Sequence, residues 1–280
     1  MLTRLLFQDY SHKLQSLYSP QEAESLTLWL LDYFLGIQRM DILHNKEVEV
    51  SRALEEAVIK LEEGVPIQYI TGSAPFYGRD FYVNPAVLIP RNETEELVHL
   101  IVGDNKNKAL HILDVGTGSG CIPITLALEL DRPVLTAVDV SEAALTVARN
   151  NAEKHNKAAD INFVRCDVLR EELPVRDLDI IVSNPPYVRE SEKASMHINV
   201  LDHEPHLALF VPEDDPLVFY RIIADKGISA LKPGGKLYFE INEALGPNVI
   251  ELLSSLGYQE ITLMRDLNDK DRIVTAVKAR

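Results

Sequence analysis

The residues best placed by type and spacing to do chemistry are Asn184-Pro185-Pro186-Tyr187. They follow Leu178-Asp179-Ile180-Ile181-Val182-Ser183, an apolar run that reads as a buried parallel strand. The tetrapeptide therefore sits where a strand ends, which is where open α/β sheets hold their ligands. Two consecutive prolines remove two backbone N–H donors and fix two φ angles near about −65°. The residue ahead of each proline is also driven toward extended geometry. Asn184 and the carbonyl of Pro185 thus become rigid acceptors with no adjacent donor to compete. Such a pair suits a substrate that brings N–H groups, a carboxamide or an exocyclic amine.

A second constellation lies earlier in the chain. Asp114-Val115-Gly116-Thr117-Gly118-Ser119-Gly120 follows an apolar strand and opens a helix at Cys121-Ile122-Pro123. The glycines let the backbone turn tightly and approach a ligand closely. They alternate, and Asp114 precedes the first by two, so the acid would repel a pyrophosphate. It suits instead a cationic, phosphate-free adenosyl ligand. The next strand ends at Asp139, where a carboxylate can accept the hydroxyls of a ribose. The one after ends at Cys166-Asp167-Val168, with Asp167 placed to accept from an adenine amino group and Val168 to cover the ring. Three acids at successive strand ends, together with the loop, point to a nucleoside-type cofactor. No Cys/His cluster or CxxC pair suggests a metal.

Bulk properties narrow the class. Of 280 residues, 28 are basic and 43 acidic, a formal net charge of −15. That balance argues against a large nucleic-acid footprint, which calls for a basic face. Cys121 and Cys166 read as small buried hydrophobes in a reducing compartment. No run approaches about 18 continuous apolar residues, and Met1-Leu2-Thr3-Arg4 does not open a leader, so a cytoplasmic location without membrane contact is expected.

The elements that position these residues fall into three regions. Residues 1–75 read as a small helical bundle. Leu5, Leu6, Tyr10, Leu14 and Leu17 recur at helical spacing, and Ser19-Pro20 caps a second helix closed by Gly36. A third is expected from about Glu49 to Glu63, with Gly64 as its stop. Residues 76–108 hold an aromatic hairpin from Phe76 to Ile89 around Gly78 and Asn84-Pro85. They continue into a helix capped by Asn92 with Glu95 and a charged linker, Gly103 to Lys108. Residues 109–280 alternate strand and helix: Leu110–Val115, Val134–Val138, Asn162–Cys166, Asp179–Ser183 and Lys236–Ile241, with helices between, notably Glu142–His155 and Pro216–Leu231. This predicts an α/β, doubly wound, mostly parallel sheet. A final pair, Glu260–Met264 and Arg272–Val277, is expected to be antiparallel.

From Asp114 to Tyr187 the pattern resembles the class I S-adenosylmethionine-dependent methyltransferases. The resemblance implies a Rossmann-like, seven-stranded domain whose glycine loop cradles the amino-acid part of S-adenosyl-L-methionine. Asp139 would bind the ribose, the tetrapeptide would face the methyl group, and S-adenosyl-L-homocysteine would be the product. In these enzymes Asn-Pro-Pro-Tyr accompanies methylation of planar nitrogens: adenine N6, guanine N2 or a glutamine amide. Accepting two N–H bonds at Asn184 Oδ1 and the Pro185 carbonyl would orient a weakly nucleophilic nitrogen, beside the wall made by Pro186, while Tyr187 packs on the planar group. No strong general base is required.

Nearly the whole chain is similar to the PrmC/HemK family, which methylates the N5 amide of the glutamine in the Gly-Gly-Gln motif of class 1 peptide-chain release factors. The similarity rests on the helical N-domain, Gly64-Val65-Pro66-Ile67-Gln68-Tyr69-Ile70-Thr71-Gly72 and Ile89-Pro90-Arg91 with Glu93-Thr94-Glu95. It extends over the two constellations above, Glu204-Pro205 with Ala208-Leu209, and Arg272 with Val274. The family usually has proline where Asn92 stands. It implies a monomer whose N-domain docks the release factor, a protein partner, with no direct nucleic-acid contact. Rival readings are a glutamine of a large-subunit ribosomal protein, an adenine-N6 target, or a non-catalytic cofactor sensor. The N-domain and residues 66–72 favour the release factor, and the charge disfavours DNA.

Overall fold

The computed structural model describes residues 1–106 and 108–280; Asn107 of the expected charged linker lies outside the described residues. The chain divides into two units, residues 1–72 with 197–203, and residues 73–196 with 204–280.

The first unit is helical: α1 Thr3–Leu14, α2 Pro20–Leu35, α3 Arg39–His44, α4 Arg52–Glu62 and α5 Ile67–Thr71. The Ser19 side chain accepts from the Glu22 amide, with Pro20 at the first helical position, where no N–H is missed. Gly36 ends α2 in the left-handed conformation, φ 64°, as expected. Leu6, Tyr10, Leu14, Leu30, Leu31, Leu54 and Leu61 form the core. Two helices were not foreseen, α3 and α5, because six and five residues are too short to show a periodicity. The helix expected from Glu49 begins instead at Arg52, since the Ser51 side chain caps it by accepting from the Leu54 amide. Residues 197–203 complete this unit, Asn199 Nδ2 donating to the Tyr18 hydroxyl at 2.9 Å.

The second unit opens with a hairpin, β1 Ser73–Phe76 and β2 Arg79–Tyr82. It begins and ends earlier than the sequence suggested, because the turn is only Tyr77-Gly78, both at positive φ (50° and 71°), a geometry that matches the twist of two-residue hairpins. Asn84 forms a separate turn, its Oδ1 accepting from the Ala86 amide. Helix α6 follows at Asn92–Asn105. The capping box expected of Asn92 and Glu95 is absent: Arg91 is the cap, without a side-chain bond, and Glu95 Oε1 accepts from the Tyr77 amide at 2.7 Å. Glu95 thus ties the hairpin turn to the helix instead of closing the helix end.

The remaining elements are β3 His111–Val115, α7 Cys121–Glu129, β4 Val134–Asp139, α8 Glu142–Lys154, β5 Ile161–Arg165, β6 Leu178–Ser183, β7 Val188–Arg189, α9 Ile198–His203 (already placed with the first unit) and β8 Phe210–Val211. They close with α10 Val218–Ala230, β9 Leu231–Glu240, α11 Gly246–Ser255, β10 Gln259–Arg265 and β11 Asp271–Val277. The central sheet has the order β10-β11-β9-β6-β3-β4-β5. Strands β5, β4, β3, β6 and β9 are parallel, and β11 runs antiparallel to both β9 and β10. The inner strands β3, β4 and β6 are buried along most of their length and are mostly apolar. Ile112, Ile180, Val182 and Tyr238 pack toward α6 and α7; Leu113, Ile181, Leu237 and Phe239 pack toward α10 and α11. The α/β architecture expected from the alternating pattern is thereby confirmed. No helix among the described residues is long and apolar enough to cross a membrane.

One buried side chain fastens the hairpin to the sheet layer. Asn151 of α8 is fully buried; its Nδ2 donates to the carbonyls of Tyr82 and Ser119, both at 2.9 Å, and its Oδ1 accepts from the Tyr82 amide at 2.7 Å. Asn151→Leu would remove the partner of the buried Ser119 carbonyl and of the partly buried Tyr82 amide and carbonyl. It should lower unfolding stability by roughly 2–4 kcal/mol in urea titration. A change within about 0.5 kcal/mol, the range of ordinary surface substitutions, would show that the clasp is dispensable.

Candidate active site

Strand order reverses between β3 and β6, since the chain continues from β3 toward β5 on one side and from β6 toward β9 on the other. Such a switch point opens a crevice at the carboxyl ends of the strands. Here the loops after β3, β4, β5 and β6 line a single cavity of about 510 Å³. Its remaining walls come from residues 86–91, Thr94 of α6, the segment around Pro205, Leu207 and Ala208, and Phe219 and Ile223 of α10.

The loop after β3 is drawn onto β4, with the amides of Gly116 and Thr117 both donating to the Val138 carbonyl at 2.9 and 3.0 Å. Gly118 stands at φ 54° and Gly120 at φ 79°. At Gly120 a Cβ would lie 3.1 Å from the Ala148 Cβ, so both conformation and packing against α8 require glycine. Asp139 shapes this loop as well as its own: Oδ2 accepts from the Gly118 amide and Oδ1 from the Ser141 amide, both at 2.9 Å. Each oxygen keeps a lone pair for a ligand. Burial holds this carboxyl above its usual value, against the pull of those amides.

Asp114 lies beneath the loop, fully buried, and among the described residues neither of its oxygens has a hydrogen-bond partner. The Thr117 and Ser119 hydroxyls are likewise buried and unpartnered. Burial pushes the Asp114 carboxyl up to about 7, the nearby Thr117 hydroxyl offsetting part of the effect. At the end of β5, Asp167 Oδ1 accepts from the Leu169 amide at 3.0 Å, and Asp167 and Val168 line the cavity beside Cys166.

Asn184, Pro185 and Pro186 also line it. The end of β6 is locked to β3 by Ser183 Oγ, which donates to the Val115 carbonyl at 2.7 Å. Asn184 Nδ2 donates to Thr94 Oγ1 at 3.1 Å, and Thr94 Oγ1 donates to Glu240 Oε2 at 2.6 Å. The half-buried Tyr187 ring packs against the core on the α10 side, and its hydroxyl donates to Glu240 Oε1 at 3.3 Å. A buried phenol needs a partner for its O–H, and Glu240 supplies one. Burial, with Glu240 beside it, pushes the phenol pKa up. In this structure Tyr187 braces the motif from the core side.

Sequence reasoning did not single out Glu240, and it named Thr94 only within the Glu93-Thr94-Glu95 segment, without a role. The signal existed: Glu240 is an acid at the end of a parallel strand, like Asp114, Asp139 and Asp167. Alternation with Tyr238 turns it toward α6, where Thr94 lies. Burial pushes Glu240 up to about 7, with Thr94 and Arg272 opposing and Glu93 reinforcing. A third buried acid, Glu204, joins two walls of the cavity. Its Oε2 accepts from the Ile89 amide at 3.1 Å and its Oε1 from Arg91 at 2.5 Å.

Residues 6–72 match the family model described as the PrmC N-terminal domain, and residues 94–204 match the methyltransferase small domain. A release factor glutamine methyltransferase from Bacteroides thetaiotaomicron is 48% identical over 268 residues, covering 94% of this chain and 95% of that protein. One from Flavobacterium psychrophilum is 42% identical, with 98% of each chain covered. The chain belongs to the release factor glutamine methyltransferase family. A methyltransferase from Pyrococcus furiosus has a similar crystal structure, with TM-score 0.53 at 17% identity over 81% of this chain and 98% of that one. That likeness extends to the fold alone. Membership in the family agrees with the resemblance drawn from the two constellations.

The lone Asp114 carboxylate makes a pH prediction. With a folded value near 7 against an ordinary value of 3.8, the native state holds a proton that the unfolded chain has released. Stability from this group is therefore full below about pH 4 and is lost as pH rises through 7. Asp114→Asn should raise stability at pH 8 by up to about 4 kcal/mol, with the gain shrinking toward pH 4. Denaturant midpoints at both pH values measure it; equal gains at the two would contradict the assignment.

Proposed function

We propose that this chain transfers the methyl group of S-adenosyl-L-methionine to the side-chain amide nitrogen of the glutamine in the Gly-Gly-Gln motif of class 1 release factors. The observation that carries the reading is the state of Asn184. With Nδ2 committed to Thr94, Oδ1 remains as an acceptor at the cavity wall, next to a Pro185 carbonyl in a stretch without N–H donors. Two acceptors for one planar amide are what a glutamine side chain needs. Accepting both of its N–H bonds orients the nitrogen and favours the pyramidal geometry that exposes its lone pair.

The residues present fit S-adenosyl-L-methionine. The buried, uncompensated Asp114 favours a cation above it and disfavours a phosphate. Gly116, Thr117, Gly118, Ser119 and Gly120 would hold the amino-acid end, Asp139 the ribose, and Asp167 with Val168 the adenine. Bound there, the cofactor supplies an electrophilic methyl group on a sulfonium. Asn184 and Pro185 then position the nucleophile, Pro186 bounds the slot, and Tyr187 braces the motif from below. The amide nitrogen becomes acidic once methylated, so water suffices to take its proton.

The release factor is favoured as substrate by similarity over nearly the full length to relatives with that name, and by the match of residues 6–72. In this reading residues 1–75 dock the release factor, residues 76–108 bridge, and residues 109–280 carry the chemistry. The net charge of −15 suits a protein partner better than a nucleic acid. We take the chain to act as a monomer in the cytoplasm, where translation terminates.

Labelled S-adenosyl-L-methionine should pass its methyl to a purified release factor, and not to a large-subunit ribosomal protein or duplex DNA assayed in parallel. A release factor left unlabelled would overturn the reading. Asn184→Ala should cut turnover by about 100- to 1000-fold, the scale set by losing one preorganised transition-state contact, with cofactor affinity little changed. Undiminished turnover would reject the acceptor role.

A further inference from the structure

We infer that Glu240 is a positioning residue for this reaction: acting through the Thr94 hydroxyl, its carboxylate decides which end of the Asn184 amide faces the substrate. The inference rests on the methyl-transfer reading above and adds to it the group that sets the direction of the hydrogen bonds.

A hydroxyl has one proton and can accept at its lone pairs. Thr94 Oγ1 gives its proton to Glu240 Oε2 at 2.6 Å, so toward Asn184 it can only accept. Asn184 must then present Nδ2 to Thr94, as it does at 3.1 Å, and the other end of the planar amide, Oδ1, is left for the substrate. Reversing the first bond reverses the last. A proton on Glu240 Oε2 would be donated to Thr94, whose own proton would then be free for Asn184 Oδ1. The amide turned over in this way offers N–H to a substrate nitrogen that itself brings N–H, donor against donor. The second carboxylate oxygen is already engaged by the Tyr187 hydroxyl at 3.3 Å.

The placement is not incidental. Glu240 and Thr94 are both buried, 1% and 3% exposed, so bulk water does not compete for either. Helix α6 supplies Thr94 and β9 supplies Glu240, two rigid elements of one core. The groups around the carboxylate are Arg272 of β11, which favours its ionised form, and Glu93 of α6, which opposes it. The Tyr187 and Tyr220 hydroxyls and the Cys121 thiol complete the surroundings. Arg272 is held by Asp266, through Nε at 3.1 Å, and acts on Glu240 only through its field. Burial outweighs that field and leaves Glu240 near 7, so the relay reverses within the neutral range.

The test is kcat and KM for the release factor against pH, at saturating cofactor, in wild type, Thr94→Val, Thr94→Ser and Glu240→Gln. Thr94→Val should lose about tenfold or more in kcat, the cost of one positioning hydrogen bond, with KM and cofactor affinity near wild type. Thr94→Ser, which keeps the hydroxyl, should recover most of the loss. Wild-type kcat should fall as pH drops through about 7, and Glu240→Gln, which cannot titrate, should be slower and lack that acidic limb. Full kcat in Thr94→Val, or an acidic limb that survives in Glu240→Gln, would overturn the inference while leaving the proposed reaction intact. Wild type that methylates no release factor at all would overturn both.

Discussion

Every feature of the site depends on β5, β4, β3 and β6 ending at one level, side by side. Parallel pairing aligns Asp114 with Ala137 and Val182, and Val115 with Val138 and Ser183, so the loops that follow leave the sheet together. Two short polar contacts then fix the exits. Ser183 Oγ closes on the Val115 carbonyl, and the amides of Gly116 and Thr117 close on the Val138 carbonyl. Both carbonyls belong to residues at or next to the ends of their strands, where each gains a partner. Their satisfaction by the neighbouring loop holds a glycine turn and a proline-locked tetrapeptide against the same cavity.

Four acids stand around that cavity, three of them buried and Asp139 partly so, and they are stabilised in different ways. Glu204 is paired with Arg91 and takes an amide besides, so it acts as a clasp between two walls. Asp139 is held by two backbone amides that it in turn orders. Glu240 is supported by two hydroxyls and a distant guanidinium. Among the described residues Asp114 has no hydrogen-bond partner. Burying a charged carboxylate costs several kcal/mol unless bonds or opposite charge offset it. The unequal treatment is informative: the better satisfied acids hold structure, whereas the least satisfied one keeps its field for whatever occupies the loop above. Active sites tolerate such local instability because the surrounding fold over-determines it.

Much of this was legible in the sequence because it was written in strong local signals. An alternation of apolar strands and helices fixes the architecture, and residues such as Asp139 and Asn184 stand at strand ends where loops begin. Ser19-Pro20 and Gly36 bound a helix by local backbone chemistry alone. The short helices Arg39–His44 and Ile67–Thr71 were hidden, since one turn or two has no period to detect. Glu95 was misread because its partner is the Tyr77 amide, 18 residues away, instead of the helix end three residues away. Thr94 and Glu240 are 146 positions apart and acquire their meaning only when β9 and α6 meet. The partner of the Tyr187 hydroxyl, Glu240, lies 53 positions away and only the folded chain reveals it. Long-range polar pairs are what a sequence conceals.

The central claim is that Asn184 Oδ1 and the Pro185 carbonyl accept the two N–H bonds of a glutamine amide. It is tested most directly by a crystal structure of the protein with S-adenosyl-L-homocysteine and a peptide carrying Gly-Gly-Gln. The glutamine Nε2 is expected within about 2.7–3.2 Å of both oxygens, with Asn184 Nδ2 still on Thr94. A glutamine amide bound elsewhere, or an Asn184 turned so that its nitrogen faces the substrate, would contradict it.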